Sequence, residues 1–230
     1  MKKFEVKSEF AYIISIVVLA FSVAIMSAVD FGVSMIVAPA YILSLKFDFL
    51  TFGQCEYIVQ ALLFIVFCIL VKKIKPQFFF SFITCIIYGA VLDFFRAVIP
   101  ILNPSIYPPG SFNIILRVVF FIVAELLTAF AVALCFKTYL YPQVNDFVVK
   151  GLSTRFNLDR NKFKRIYDFM CLSISVLLSL ILFKNIKGIG IGTVVLTLIN
   201  GVLIGFFDKI LSKLFEFNPM FKNFAKGFDV

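Results

Sequence analysis

The 230-residue sequence contains no histidine and no tryptophan, and only 15% of it is charged. Without histidine the chain lacks the usual general base near neutral pH and the commonest metal ligand, which argues against histidine-dependent intramembrane hydrolases. Five cysteines (Cys55, Cys68, Cys85, Cys135, Cys171) are an odd number with no CxxC spacing and fall almost entirely in apolar runs. They read as small buried thiols rather than as disulfide or metal-site residues, so no metal and no cofactor is expected. With tryptophan missing, Tyr12, Tyr41, Tyr107, Tyr139 and Tyr141 must supply most of any aromatic belt. No catalytic constellation emerges either, and an enzyme is not expected.

What is present is apolar: 62% hydrophobic residues, 32 of them phenylalanine, and a mean hydropathy of +1.04. A soluble globule needs more polar surface than that. Hydrophobic runs bounded by charges, prolines or glycines predict helices over about 10–29, 53–71, 77–99, 112–136, 166–183 and 189–207. Six spans of about 20 residues each cross a hydrocarbon core of about 30 Å and leave only short connections. The expected fold is therefore an all-α polytopic bundle occupying residues 1–230 as one membrane domain. The opening MKKFEVK and the apolar stretch after it read as a retained first helix rather than a cleaved signal peptide.

Lysine and arginine set the expected orientation. With the N-terminus inside, 17 of them fall on the cytoplasmic side, including Lys2, Lys3, Lys7, Lys72, Lys73 and Lys75, against Lys46, Lys184 and Lys187 outside. The positive-inside rule then selects cytoplasmic N- and C-termini. The net charge of +9 follows from this topology and an anionic inner leaflet, with no need for nucleic acid. The tail after Asp208, which interleaves Leu211, Phe217, Phe221 and Phe228 with four lysines, suits the inner interface, about residues 216–230.

The two halves resemble each other. Ala20–Ile25 matches Ala129–Leu134 and Leu43–Phe49 matches Leu152–Leu158 at one offset of 109, while Lys75, Gly89 and Phe94-Phe95 match Lys187, Gly201 and Phe206-Phe207 at 112. Repeat one covers about 9–105 and repeat two about 112–215. Three spans per copy put the second copy into the bilayer from the opposite face, an inverted repeat of the kind that recurs in secondary transporters.

Between the first two spans lies Asp30 to Ser44, apolar, too short to span and interrupted by Gly32 and Pro39. It reads as a re-entrant segment capped by Asp30 or Ser34, or alternatively as an interfacial helix. Its counterpart, Gln143 to Phe156, places Val144, Phe147, Val148 and Leu152 on one face and Asn145, Asp146, Lys150 and Arg155 on the other, as an interfacial helix would.

Polar groups inside spans are candidate site residues, because a charge at a helix centre costs about 2.5–3.5 kcal/mol on insertion scales. Glu125, near the middle of the fourth span with Thr128 one turn on, leads as a substrate-coordinating or proton-coupling group. A packing hydrogen bond is the alternative. Asp93 and Arg96 stand at i and i+3, positioned to pair near the outer mouth with Arg117 close by. Gly188-Ile-Gly-Ile-Gly-Thr193 opens the last span without the lysine of a phosphate loop, so its glycines and Thr193 serve close packing or free N–H groups. Gly201 and Gly205 beside Asn200, and Ala20, Ala24 and Ala28, read as helix-contact faces.

Asp30-Phe-Gly-Val-Ser34 resembles the G-x-G-V-S stretch after the first helix of YczE/YitT-type bacterial membrane proteins, and Gly188–Gly201 is similar to their G-x-G-T-x-x-N-A-L-x-x-G element. The resemblance covers most of the chain at the level of span pattern. YitT proper has a C-terminal soluble domain that is missing here, so the shorter YczE-like members fit better. What the resemblance implies is a bacterial cytoplasmic membrane; it implies no substrate.

Three functions remain open from the sequence: a small transporter or permease for an unidentified small solute, a substrate-binding membrane subunit working with a partner, and a non-transporting assembly or regulatory protein. A homo-oligomer is compatible with each.

Overall fold

The computed structural model describes residues 3–72 and 78–226. Lys2, Lys73, Lys75, Phe228 and the start of the third predicted span at residue 77 lie outside the described residues. In chain order the elements are β1 (Phe4–Lys7), α1 (Ser8–Val29), α2 (Ala38–Lys46), α3 (Phe52–Val71), α4 (Phe79–Val98), a 3-10 turn (Pro100–Leu102), α5 (Ile114–Phe136), α6 (Val144–Arg155), α7 (Arg160–Phe183), α8 (Ile191–Leu214), β2 (Phe215–Asn218) and α9 (Lys222–Ala225). Six helices, α1, α3, α4, α5, α7 and α8, are long and apolar enough to cross a membrane. At about 1.5 Å per residue their 20–24 residues reach 30 Å or more. The protein is a multi-pass integral membrane protein.

Local chemistry fixes the helix ends. Thr51 and Gln54 form a capping box at the start of α3, and Asn113 and Asp159 accept first-turn amides of α5 and α7. Asp30, Lys72 and Lys184 stop α1, α3 and α7 in the left-handed conformation. The last span runs to Leu214 rather than 207; Asp208, Lys209, Ser212 and Lys213 change its polarity without breaking a helix.

α1 is the centre of the bundle, packed on α4 and α5. Its stripe Ala20, Ala24 and Ala28 is buried as expected, and Ala124 and Ala129 on α5 have no exposed surface, so the two backbones approach closely. The other small-residue pair behaves differently. Gly201 and Gly205 have nothing within 4 Å of where a Cβ would stand, so within this chain they are not a contact face; α8 packs chiefly on α5 and turns that side outward.

The short helices α2 and α6 are both held between α3 and α7. On α6, Val144, Phe147, Val148 and Leu152 are buried as the pattern predicts, but so is Asn145, which was expected on the polar face; its Oδ1 accepts the Tyr167 hydroxyl at 2.7 Å. α2 begins only at Ala38, and its N-cap, Val37, makes no side-chain cap. Neither Asp30 nor Ser34 caps it; the Ser34 carbonyl instead accepts the Val37 and Ala38 amides.

Two belt assignments also change. Tyr41 and Tyr141 are buried, and Tyr41 donates to the Ser27 carbonyl at 3.1 Å. The chain ends meet: β1 and β2 pair in parallel, and Glu9 accepts the Met220 and Phe221 amides and the Tyr139 hydroxyl. Burial and the Glu9 carboxylate push the Tyr139 hydroxyl up from its ordinary pKa.

Candidate functional site

A cavity of about 650 Å³ is lined by residues of α1, α4, α5, α6, α8 and the start of α7, together with residues 34–37 and the 138–143 connection into α6. That volume lies in the range that encloses small ligands, roughly 300–1,000 Å³. The larger part of its wall surface is apolar, with Val23, Met26 and Leu196 contributing, and polar side chains are interspersed.

Glu125 lines this space. Its side chain is only 6% exposed, and neither carboxylate oxygen has a hydrogen-bond partner. An ionised carboxylate buried in that state is costly, so the group is satisfied by a proton or by something that enters the cavity. Thr128, one turn on, also lines the cavity but donates to Ser22 Oγ at 2.9 Å and thereby pins α5 to α1. Three more lining residues carry unpartnered buried polar atoms: Asn200 Oδ1 on α8, Gln143 Nε2 before α6 and the Tyr88 hydroxyl on α4.

Behind this wall stands a second buried carboxyl. Glu56 on α3 is 1% exposed and accepts the Gln60 amide at 2.9 Å through Oε2, while its Oε1 has no partner. The same Gln60 amide nitrogen donates to Gln143 Oε1 at 3.1 Å, and its Oε1 accepts the Val144 amide at 3.1 Å. Gln60 therefore fixes both the cavity-lining Gln143 and the first turn of α6. At the end of the cavity where α7 starts, Lys164 lies 3.4 Å from Asp146 and 3.8 Å from Asp168, with Lys150 and Arg165 beside them on the rim.

Of the residues singled out from sequence, Glu125, Thr128, Asn200 and Ser34 come together on the cavity. The other candidate site residues, Asp30, Gly32, Asp93, Arg96, Arg117 and Thr193, do not line it. Asp93 does not pair with Arg96: it accepts the Gly53 amide at 2.8 Å and the Thr51 hydroxyl at 2.5 Å, completing the N-terminus of α3. Arg96 lies over the Phe52 ring, 5.3 Å from its centroid. Arg117 does not join them; it donates to the Val29 and Asp30 carbonyls at 2.7 and 3.0 Å, closing the end of α1, and stacks on Phe31. Partial burial lifts the Asp30 carboxyl above its ordinary range, against the pull of Arg117 and Lys187.

Gly32 and Thr193 belong to one clamp. Thr193 donates to the Val33 carbonyl at 2.8 Å, and the Gly192 amide donates to the Phe31 carbonyl at 2.8 Å. Gly32 has φ +95°, and a Cβ on Gly190 or Gly192 would meet the Phe31 carbonyl oxygen. The glycines are there for close backbone approach, so the segment after α1 is seated on the start of α8.

Gln143, Tyr88, Glu56 and Gln60 were not foreseen as site residues. Glu56 stands near the head of its predicted span, where a carboxylate ordinarily reaches water, and only the packing of α4 and α6 over α3 buries it. The i, i+4 spacing of Glu56 and Gln60 inside an apolar run was the available signal. Among the described residues no group of three or more acidic or cysteine side chains is placed to hold a metal ion.

Six apolar spans, five of them contributing residues to a partly enclosed cavity with unpartnered polar groups on its wall, define a helical membrane protein. The chain belongs to a family of unknown function, DUF6198, whose model matches residues 6–209. No curated protein and no solved structure matches it.

Proposed function

We propose that this protein is a small transporter or permease for a small solute, with the cavity at Glu125 as its binding site. The observation that carries the reading is the buried, unpartnered Glu125 carboxylate on a cavity of about 650 Å³. A packing role for Glu125 would give it a hydrogen-bond partner on a neighbouring helix, and it has none.

A likeness between the two halves, read as an inverted repeat, supports the same reading. Each half runs long, short, long, long helix. Packing pairs come in matching sets: α1 on α4 and α5 on α8, α2 on α3 and α6 on α7, α2 on α7 and α6 on α3. In each half a threonine near the start of the last span donates to a carbonyl of the other half's crossing segment, Thr84 to Tyr141 at 3.1 Å and Thr193 to Val33 at 2.8 Å. The match is incomplete, since α3 packs on α4 without an equally extensive contact between α7 and α8. In this reading residues 30–44 form a re-entrant element that enters beside the site, and Ser34 through Val37 reach the cavity.

The location proposed is a bacterial cytoplasmic membrane with both termini inside, supported by the lysine distribution and by the β1–β2 pairing that keeps the two ends on one side. Kinship with the YczE-like proteins is proposed on the likeness of Asp30–Ser34 and Gly188–Gly201 to their two motifs. Reconstitution in liposomes tests the function: wild-type protein should exchange a labelled solute and Glu125→Gln should not. Absence of exchange across a broad panel of metabolites, with Glu125→Gln silent in cells, would refute transport.

A further inference from the structure

We infer that the cavity binds a small organic primary amine, its ammonium group held by Glu125 and Asn200 and its apolar body lying along Val23, Met26 and Leu196. The inference rests on the cavity being a binding site and names what it takes.

The unpartnered atoms specify the chemistry. Glu125 offers two acceptor oxygens and Asn200 offers Oδ1, all buried and all unpaired. Three acceptors on one cavity want a donor-rich group, and an ammonium supplies three N–H donors with the charge that a buried carboxylate needs. A carboxylate or phosphate ligand is excluded from that end of the cavity by the same atoms, since it would bring like charge against a Glu125 carboxylate that no lysine or arginine pairs with. The cationic residues of the cavity, Lys150, Lys164 and Arg165, come from α6 and the start of α7, where Asp146 and Asp168 flank Lys164. Gln143 Nε2 and the Tyr88 hydroxyl remain as donors for a second polar atom of the ligand. The larger, apolar part of the wall surface suits a hydrocarbon or aromatic body.

A matched set of probes separates headgroup from body: 2-phenylethylamine, 2-phenylethanol and phenylacetate, titrated onto the purified full chain in nanodiscs and read by thermal stabilisation. The amine should raise the unfolding temperature, and the alcohol and the acid should not. Glu125→Gln should weaken amine binding by about 100-fold or more, the scale of losing one partner of a buried charge pair. Asn200→Ala, on the less enclosed helix, should weaken it about tenfold, the scale of one hydrogen bond to a charged group; it serves if Glu125→Gln does not fold. Nanodiscs with and without phosphatidylethanolamine distinguish a soluble amine from a lipid headgroup: competition by that lipid assigns the amine to the bilayer, and its absence to a soluble compound. Equal binding of the alcohol or the acid, or binding of none of the three, overturns the amine assignment. Amine binding without exchange in liposomes would leave the assignment intact and refute transport alone.

Discussion

Replacing Gln60 with leucine isolates the buried network behind the cavity. Leucine approximates the glutamine in volume, so the change is chiefly the loss of three hydrogen bonds: to Glu56 at 2.9 Å, to Gln143 at 3.1 Å and from the Val144 amide at 3.1 Å. Interhelical polar contacts in membrane proteins average about 0.6 kcal/mol and neutral hydrogen bonds in general about 1 kcal/mol, which sets the three at about 2–3 kcal/mol. The substitution also leaves Glu56 with neither oxygen partnered at 1% exposure, a further cost of about 1–3 kcal/mol. The expected loss is about 3–6 kcal/mol, measured by reversible unfolding in mixed micelles of increasing SDS. The double variant Gln60→Leu/Glu56→Leu removes the orphaned carboxyl and should cost about 1–2 kcal/mol less than the two single losses added together. A Gln60→Leu protein within about 0.5 kcal/mol of wild type would refute the assignment of Gln60 as the fastener of α3 to α6, and strictly additive singles would refute its coupling to Glu56.

Other expectations follow from the same contacts. Gly32→Ala forces a side chain into φ +95° and sets its Cβ 2.6 Å from the Gly190 nitrogen, so it should destabilise by more than the roughly 1 kcal/mol that positive φ alone costs; unfolding in the same micelles reads it. Asp93→Ala removes acceptors for the Gly53 amide and the Thr51 hydroxyl, with an expected loss of about 1.5–3 kcal/mol, and Asp93→Asn should recover part of it. Arg96→Lys should leave that cap unchanged, because no ion pair joins Arg96 to Asp93; a loss as large as that of Asp93→Ala would argue otherwise. Glu9→Gln weakens the acceptor that holds Met220 and Phe221, and limited proteolysis should cut the C-terminal segment faster in the variant than in wild type.

Sequence and structure agree where the signal is local. The six spans were legible to within a few residues at most ends because hydropathy is a property of consecutive residues, and the 20-residue minimum is set by the bilayer. The alanine stripe on α1 was legible for a similar reason: a period of four places small residues on one face whatever lies opposite. Glu125 stood out because no charge survives at a span centre without a purpose. Asp93 stood out equally, yet its purpose is to receive the Thr51–Gly53 turn 40 residues away in the chain, and nothing in the spacing of Asp93 and Arg96 says that a helix N-terminus will arrive there.

The sequence by itself determined that the chain lives in a bilayer, how many times it crosses and which helical faces are small or polar, since each follows from residues adjacent in the chain. Only the tertiary structure decided which polar groups are satisfied. Thr193 is spent on the Val33 carbonyl and Arg117 on the end of α1, Glu56 is sealed by α4 and α6, and Glu125 and Asn200 are left facing a space large enough to fill. In lipid a polar group that finds no partner stays costly, and whether it finds one depends on contacts between residues far apart in the chain, which a linear pattern does not specify.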